Sequence, residues 1–206
     1  MNNEFISKKE LERLGNDFPE LWNILKDVPT ISLKKTVIYC DIDGVLTYFR
    51  KEDSLETVAK KGYSLTLRGQ RNSIEMLKLL ANDERFEVRI LGAVLNSGAA
   101  ADKALWLEER DLGHIKTIFV PYGENKRDYI EPTGDLNILI DDFTENLINW
   151  ESYESSATKR FVGVKYRNDI NGNHGRWNGL YSVDYRMDAK SMYALIAGLS
   201  CELAKK

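Results

Sequence analysis

An apolar segment that ends in two aspartates is the part of this 206-residue sequence best suited to chemistry. Residues 37–40 are typical of a buried strand, and Asp41 and Asp43 follow them two positions apart. Side chains two apart in an extended chain leave the same face, so both carboxylates can meet one ligand. Gly44 lets the backbone turn sharply and lie close to that ligand. The segment therefore makes a metal site and a carboxylate nucleophile plausible together.

Simpler explanations of the same residues stay open at this point. Asp43 and Gly44 can form an ordinary hairpin turn, or the two acids can belong to a solvated acidic turn. A calcium loop is rejected because its glycine stands at the sixth position, whereas Gly44 is fourth from Asp41. Only other parts of the chain can decide between the remaining explanations.

Three later segments carry polar or small residues at the ends of predicted strands. They are Asp141 and Asp142 after a strand at 136–140, Lys126 in the loop after a strand at 117–120, and Gly92 and Ala93 after a strand at 86–91. In open parallel sheets, ligands bind beyond the carboxyl ends of the strands. We therefore expect these residues to share one crevice with Asp41 and Asp43.

The elements that must position them alternate between apolar strands and amphipathic helices. Helices are predicted at 72–80, 99–109 and 187–203, and a further strand at 161–164. This alternation is typical of an α/β fold with a three-layer, Rossmann-like, mostly parallel sheet. We expect one domain over 1–206, with a helical N-terminal appendage at 1–35 and a small cap insertion at 48–69 that lies over the carboxyl end of the first strand.

Composition narrows the class of protein. The net charge of −3, with acids and bases interspersed, argues against a nucleic-acid polymer or a membrane as partner. No apolar run is long enough for a transmembrane helix, and the N-terminus has no signal-peptide pattern. The two cysteines suggest no disulfide framework, so a cytoplasmic protein is expected. The sequence does not indicate an oligomeric state.

Several carboxylates in one crevice repel each other and require a cation or shared protons. Oxygen ligands favour a hard ion such as Mg²⁺. Asp41 is the candidate nucleophile for attack on phosphorus, and Asp43 the candidate acid and base. Lys126 would neutralise the oxygens of the transferred phosphoryl group.

The Asp41-Ile-Asp-Gly-Val-Leu-Thr47 segment, with Lys126 and Ile138-Leu-Ile-Asp-Asp142, resembles the signature of the haloacid dehalogenase superfamily. Within it, the sequence looks most like the branch related to 5′(3′)-deoxyribonucleotidases. The resemblance implies that Mg²⁺ is held by Asp41, the backbone carbonyl of Asp43 and Asp141, with Asp142 as an outer or alternative ligand.

One position departs from that pattern. Members usually place Ser or Thr after the second strand, where the hydroxyl binds phosphate, but this chain has Gly92 and Ala93. Backbone N–H groups at 92–94, the hydroxyl of Ser97 or the ammonium of Lys103 are the candidates to bind phosphate instead.

Together these features predict a Mg²⁺-dependent phosphomonoester hydrolase that acts through an aspartyl-phosphate. The expected substrate is a small phosphorylated metabolite, with a nucleoside monophosphate as one candidate. The alternatives are a catalytically weak protein that binds phosphate or a nucleotide on the same scaffold, and a phosphotransferase.

Overall fold

The computed structural model describes residues 35–50, 52–152, 159–171, 177 and 179–204. Apart from Lys35, the expected N-terminal appendage lies outside these residues. The division of the chain into domains therefore stays a prediction.

A six-stranded sheet forms the centre of the described chain, and every strand pair in it is parallel. The strands are β1 (Thr36–Cys40), β2 (Phe86–Val94), β3 (Lys116–Pro121), β4 (Leu136–Asp141), β5 (Arg160–Arg167) and β6 (Ser182–Asp184), in the order β3-β2-β1-β4-β5-β6. The predicted α/β class with a three-layer, Rossmann-like sheet is confirmed. The sequence analysis missed β6, a strand of three residues.

Helices cover the sheet and give it two apolar layers. They are α1 (Leu55–Val58), α2 (Arg71–Ala81), α3 (Ser97–Glu108), α4 (Thr144–Ser152) and α5 (Ala189–Ala204), with 3₁₀ turns at Ser64–Thr66 and Lys126–Tyr129. Alternate residues of β1 enter different clusters: Ile38 and Cys40 pack in one, Val37 and Tyr39 in the other. In the part of the chain described, no helix is both long and apolar enough to cross a membrane.

The second strand is longer than the sequence analysis expected. It continues through Gly92 and Ala93 to Val94, and Gly92 pairs with Phe119 of β3. A Cβ atom at Gly92 would lie 2.6 Å from Cδ1 of Ile42. Gly92 is thus a buried strand residue that leaves room for the Ile42 side chain, and it does not open a phosphate-binding loop.

The two ends of the insertion after β1 lie side by side. Thr47 and Gly69 form an antiparallel bridge, and the N–H of Tyr48 donates to the carbonyl of Arg68 at 2.9 Å. The segment between them contains α1 and one 3₁₀ turn and is called the cap below, although its role as a cap insertion stays a prediction.

One helix of the main domain fastens this cap. Side chains of α3 and its N-cap contact the cap backbone at three places: Asp102 accepts from the N–H of Gly62 at 2.5 Å, Trp106 donates to the carbonyl of Leu67 at 2.9 Å, and Asn96 donates to that of Ala59 at 3.2 Å. The second half of the cap, from Ala59 to Leu67, is therefore held to α3 by hydrogen bonds.

The packing at Gly92 makes a prediction about stability. Gly92→Ser should lower the free energy of unfolding by about 1–3 kcal/mol, because the new Cβ atom must displace the buried Ile42 side chain. Gly198→Ala, where nothing lies within 4 Å of the added Cβ, is the matched control and should leave stability unchanged or raise it. Denaturant unfolding of both variants measures this, and equal stabilities would contradict it.

Candidate active site

Asp41 stands where β1 ends and the chain folds back on itself. Its N–H continues the β1–β4 ladder by donating to the carbonyl of Ile140 at 2.9 Å. The backbone N–H groups of Leu46 and Thr47 then both turn back to the carbonyl of Ile42, at 2.8 and 3.0 Å. This tight turn directs Asp41 to the carboxyl edge of the sheet, as the sequence predicts.

Gly44 is required in that turn for two reasons. Its φ of +78° lies in the left-handed region, which side chains other than hydrogen disfavour. In addition, a Cβ atom there would stand 2.2 Å from Oδ2 of Asp142. The carbonyl of Gly44 accepts from the amides of Gln70 at 3.1 Å and Asn168 at 2.9 Å. The turn and the Asp142 carboxylate are therefore packed directly against each other.

Lys126 lies between two carboxylates. Its Nζ is 2.7 Å from Oδ1 of Asp41 and 2.7 Å from Oδ2 of Asp141, and the whole residue is only 3% exposed. Asn125 caps the short 3₁₀ turn by accepting from the N–H of Arg127 at 3.0 Å, and this places Lys126 at the sheet edge. Burial lowers the pKa of Lys126, but Asp141 and Asp41 outweigh it and raise that pKa above its usual range.

The two adjacent aspartates after β4 have different surroundings. Asp141 is fully buried and accepts from Lys126, from the N–H of Phe143 at 2.8 Å and from the amide of Asn146 at 2.9 Å. Asp142 is partly exposed, lines the crevice above the sheet, and accepts from the amide of Asn168 at 2.8 Å. The sequence analysis placed Asp141 first as a metal ligand, but Asp142 is the one of the pair that faces the crevice.

The carboxylates that could hold a metal ion lie close together. Asp41, Asp141 and Asp142 each bring one oxygen to a group whose members are all within 4.8 Å of one another. Burial raises the pKa of Asp41 to about 7, with Asp141 and Asp43 acting in the same direction and Lys126 opposing them. Burial and the neighbouring Asp141 and Asp41 also raise the pKa of Asp142 well above its usual value.

These facts fit a divalent cation. Among the described residues, Lys126 is the one ammonium bonded to these carboxylates, and burial, with the neighbouring carboxylates acting in the same direction, raises the pKa of Asp41 and of Asp142. All the available ligand atoms are oxygens, which a hard ion prefers. The cluster could hold a metal ion, and its donor atoms are of the type that Mg²⁺ takes.

Asp43 is held by a different lysine. Nζ of Lys103 lies 2.5 Å from Oδ2 of Asp43 and 2.6 Å from the carbonyl oxygen of Ala93, and Lys103 is 4% exposed. The predicted site residues Asp43, Ala93 and Lys103 therefore meet, but the ammonium of Lys103 is already engaged with protein groups.

The crevice over these residues has a volume of about 310 Å³. Asp41, Asp43, Ala93, Lys103, Lys126 and Asp142 all line it, and the cap contributes Asp53 and Leu55. Gly92 and Ser97, which the sequence analysis proposed for phosphate binding, are not among the lining residues. Ser97 is exposed at the first turn of α3, whose N-cap is Asn96.

Several residues of the site have weak sequence signals. Asn146 and Asn168 donate to the Asp141 and Asp142 carboxylates, and Lys165 donates to the carbonyl of Asp142 at 2.5 Å. Asn168 also accepts from the N–H groups of Ile170 and Asn171, so the turn-rich sequence there was a usable signal. Nothing in the sequence near Lys165 marks it, because it lies in an ordinary strand.

No protein-family model matches the sequence, and no curated protein matches it. Two similar solved structures are described as "Structure of Pnkp1/Rnl/Hen1 complex" and "Structure of the Pnkp1/Rnl/Hen1 RNA repair complex". Their identities to this chain are 14% and 13%, over 63% and 80% of it, with TM-scores of 0.48 and 0.49. This chain covers 46% and 57% of those two chains, so it spans about half their length.

These comparisons correct three expectations from the sequence. Assignment to the haloacid dehalogenase superfamily near the deoxyribonucleotidases was wrong: one of the two similar structures is named as an RNA repair complex, and the other as a complex of the same three components. The expected hydrolase of a small phosphorylated metabolite is contradicted by the same two names. The expected absence of a nucleic-acid polymer as partner is contradicted by the same name, that of an RNA repair complex.

The contact between Gly44 and Asp142 predicts a loss of metal affinity in Gly44→Ala. The new methyl group must displace the Asp142 carboxylate, so the affinity for Mg²⁺ or Mn²⁺ should fall about tenfold or more. Gly62→Ala is the matched control, because φ is +83° there too but nothing lies within 4 Å of the added Cβ. Calorimetric titration compares the variants, and equal affinities would show that Asp142 does not contribute to binding.

The raised pKa of Asp41 predicts a pH effect on stability without metal. Between about pH 4 and 7 the folded carboxyl holds a proton that the unfolded one has lost, so stability falls as the pH rises. Asp41→Asn removes this loss and should be more stable than the wild type at pH 8, by roughly 1–3 kcal/mol. The difference should shrink toward pH 4, and parallel pH curves in unfolding experiments would contradict it.

Proposed function

We propose that this chain is a metal-dependent enzyme that acts on the phosphate group at the end of a nucleic-acid strand. The observation that carries the proposal is the cluster of Asp41, Asp141, Asp142 and Lys126, of which Asp41, Lys126 and the partly exposed Asp142 line the crevice and Asp141 is buried behind them. A crowded carboxylate group with one ammonium suits a divalent ion and the anionic oxygens of a phosphate.

Each group has a role in this proposal. Asp41 and Asp142 would hold Mg²⁺, which on binding neutralises charge on the phosphate oxygens, and Asp141 would orient Lys126 beside them. The second carboxylate oxygen of Asp41 attacks phosphorus, and the bond to the strand's terminal oxygen breaks. Lys126 keeps the attacking carboxylate in place, since its ammonium already contacts Oδ1 at 2.7 Å.

Asp43 is the proposed proton donor and acceptor. Asp43 lines the same crevice as Asp41, but its carboxylate contacts the ammonium of Lys103. As the phosphoryl group leaves the strand, Asp43, protonated at Oδ1, gives that proton to the departing oxygen and becomes a carboxylate whose Oδ2 is paired with Lys103. It later takes a proton from the group that accepts the phosphoryl, which restores its first state. Whether that acceptor is water or a hydroxyl is decided by the product found.

The rim of the crevice supports a nucleic-acid strand as substrate. Tyr122, next to the end of β3, and Phe143, next to the end of β4, are 59% and 58% exposed, and both line the crevice. Large apolar rings are seldom left in water without reason beside a charged site. Aromatic side chains of this kind stack on unpaired bases without regard to sequence.

An assay of terminal phosphate tests the function. RNA oligonucleotides with a 3′- or 5′-terminal phosphate are compared with the matched nucleoside monophosphates, with and without Mg²⁺, by mass spectrometry and phosphate release. One oligonucleotide should react with a kcat/KM at least about tenfold above its mononucleotide, and only with metal. Asp41→Asn should reduce turnover by about 10³-fold or more. Unchanged oligonucleotides, or an active Asp41→Asn protein, would contradict the proposal.

The aromatic rim gives a separate prediction. Because one stacked base contributes about 1–3 kcal/mol, Tyr122→Leu should lower kcat/KM for the oligonucleotide about tenfold. Turnover of 4-nitrophenyl phosphate, which has no base, should change less than about twofold. Tyr129→Leu is the control, because Tyr129 is 42% exposed but does not line the crevice. Equal losses on both substrates would exclude stacking at Tyr122.

A further inference from the structure

Lys103 has contacts that differ from those of a phosphate-binding lysine. A lysine that binds substrate presents its ammonium to the crevice, whereas Nζ of Lys103 lies 2.5 Å from Asp43 and 2.6 Å from the carbonyl of Ala93. Lys103 lines the crevice, but only 4% of the residue is exposed and its ammonium is occupied by these two acceptors. Leaving these two acceptors for a substrate would strand a buried carbonyl and an unpaired carboxylate.

The side chain of Asp43 needs a neighbouring group to fix its orientation. Asp43 lies in the tight turn after β1 and has a side-chain exposure of 26%, and among the described residues its carboxylate bonds only Lys103. A carboxylate on a turn next to solvent can take several rotamers. The ammonium of Lys103, itself fixed by Ala93, selects one of them.

The helix that carries Lys103 is anchored on both sides of it. Asp102 accepts from the cap at Gly62, and Trp106, fully buried, donates to the cap at Leu67. The ammonium therefore projects from a rigid support, which is what a positioning group requires.

We infer that Lys103 is a positioning residue that holds Asp43 in the orientation for proton transfer to the departing oxygen, and that it does not bind the substrate phosphate. The inference rests on the proposed function, because it assigns Asp43 the proton transfer described there. The proton itself passes between Asp43 and the leaving oxygen, and Lys103 gives up none.

Two substrates whose leaving groups differ in basicity distinguish a positioning role for Lys103 from phosphate binding and from a purely structural role. The oxygen that leaves an RNA end is a strong base and needs a proton, whereas 4-nitrophenolate leaves without one. In Lys103→Met, kcat for the terminally phosphorylated RNA should fall about 10²-fold, with KM within about threefold. For 4-nitrophenyl phosphate, kcat should fall less than about fivefold, and Lys103→Arg should recover part of the loss on RNA.

Two other outcomes would overturn the inference. If Lys103 binds phosphate, Lys103→Met raises KM for both substrates alike. If Lys103 only supports the fold, kcat falls in parallel for both and the melting temperature drops with it. As a further check, adding Lys103→Met to Asp43→Asn should not lower kcat for RNA any further, because the carboxylate that Lys103 positions is already absent. A full additional loss there would also overturn it.

A binding measurement keeps this test independent of turnover. Tungstate, a phosphate mimic, is titrated calorimetrically into wild-type protein and Lys103→Met in the presence of Mg²⁺. Affinities equal within about threefold support the positioning role, and a loss beyond about tenfold overturns it. If the wild-type protein processes neither RNA nor 4-nitrophenyl phosphate, the proposed function has failed, while the tungstate titration still decides whether Lys103 binds the anion.

Discussion

The contact of one buried ammonium with two carboxylates is the constraint on which the site depends. Lys126 is 2.7 Å from both Asp41 and Asp141, and the three groups are almost completely withdrawn from water. Buried charges of this kind are tolerated only when they are paired and hydrogen-bonded. Among the described residues Lys126 is the one ammonium bonded to these carboxylates, so the three acids leave a negative excess when they are all ionised. A divalent cation is the simplest group that removes this excess.

The parallel sheet explains why the charges meet. β1 and β4 are neighbours, and their equal register brings Asp41 and Asp141 to the same edge. The connection after β3, which lies on the opposite side of β1 from β4, adds Lys126, and α3 adds Lys103. Gly44 then lets the β1 turn close against Asp142. The site therefore results from the strand order of the sheet and from Gly44, which has no side chain.

The sequence allowed the sheet, its central strand and the grouping of Asp41, Asp43, Lys126 and the Asp141–Asp142 pair to be predicted, because apolar strands with acidic ends are a strong local pattern. It did not predict how the acids divide their tasks. That Asp142 rather than Asp141 faces the crevice depends on the bond to Asp141 from Asn146 in the next helix and on a long-range bond to Asp142 from Asn168. The need for glycine at position 92 likewise depends on its contact with Ile42, which follows the neighbouring strand, and no local sequence pattern reveals that contact. The family and substrate drawn from the motif alone were wrong.

The most direct test of a cation at this cluster is a crystal structure of the protein grown with Mn²⁺, with anomalous scattering to locate the ion. The account predicts one ion about 2.0–2.3 Å from a carboxylate oxygen of Asp41 and from one of Asp142, with Lys126 still beside Asp41. A crystal at millimolar Mn²⁺ with no anomalous peak between these carboxylates, or with the ion bound elsewhere in the crevice, would contradict it.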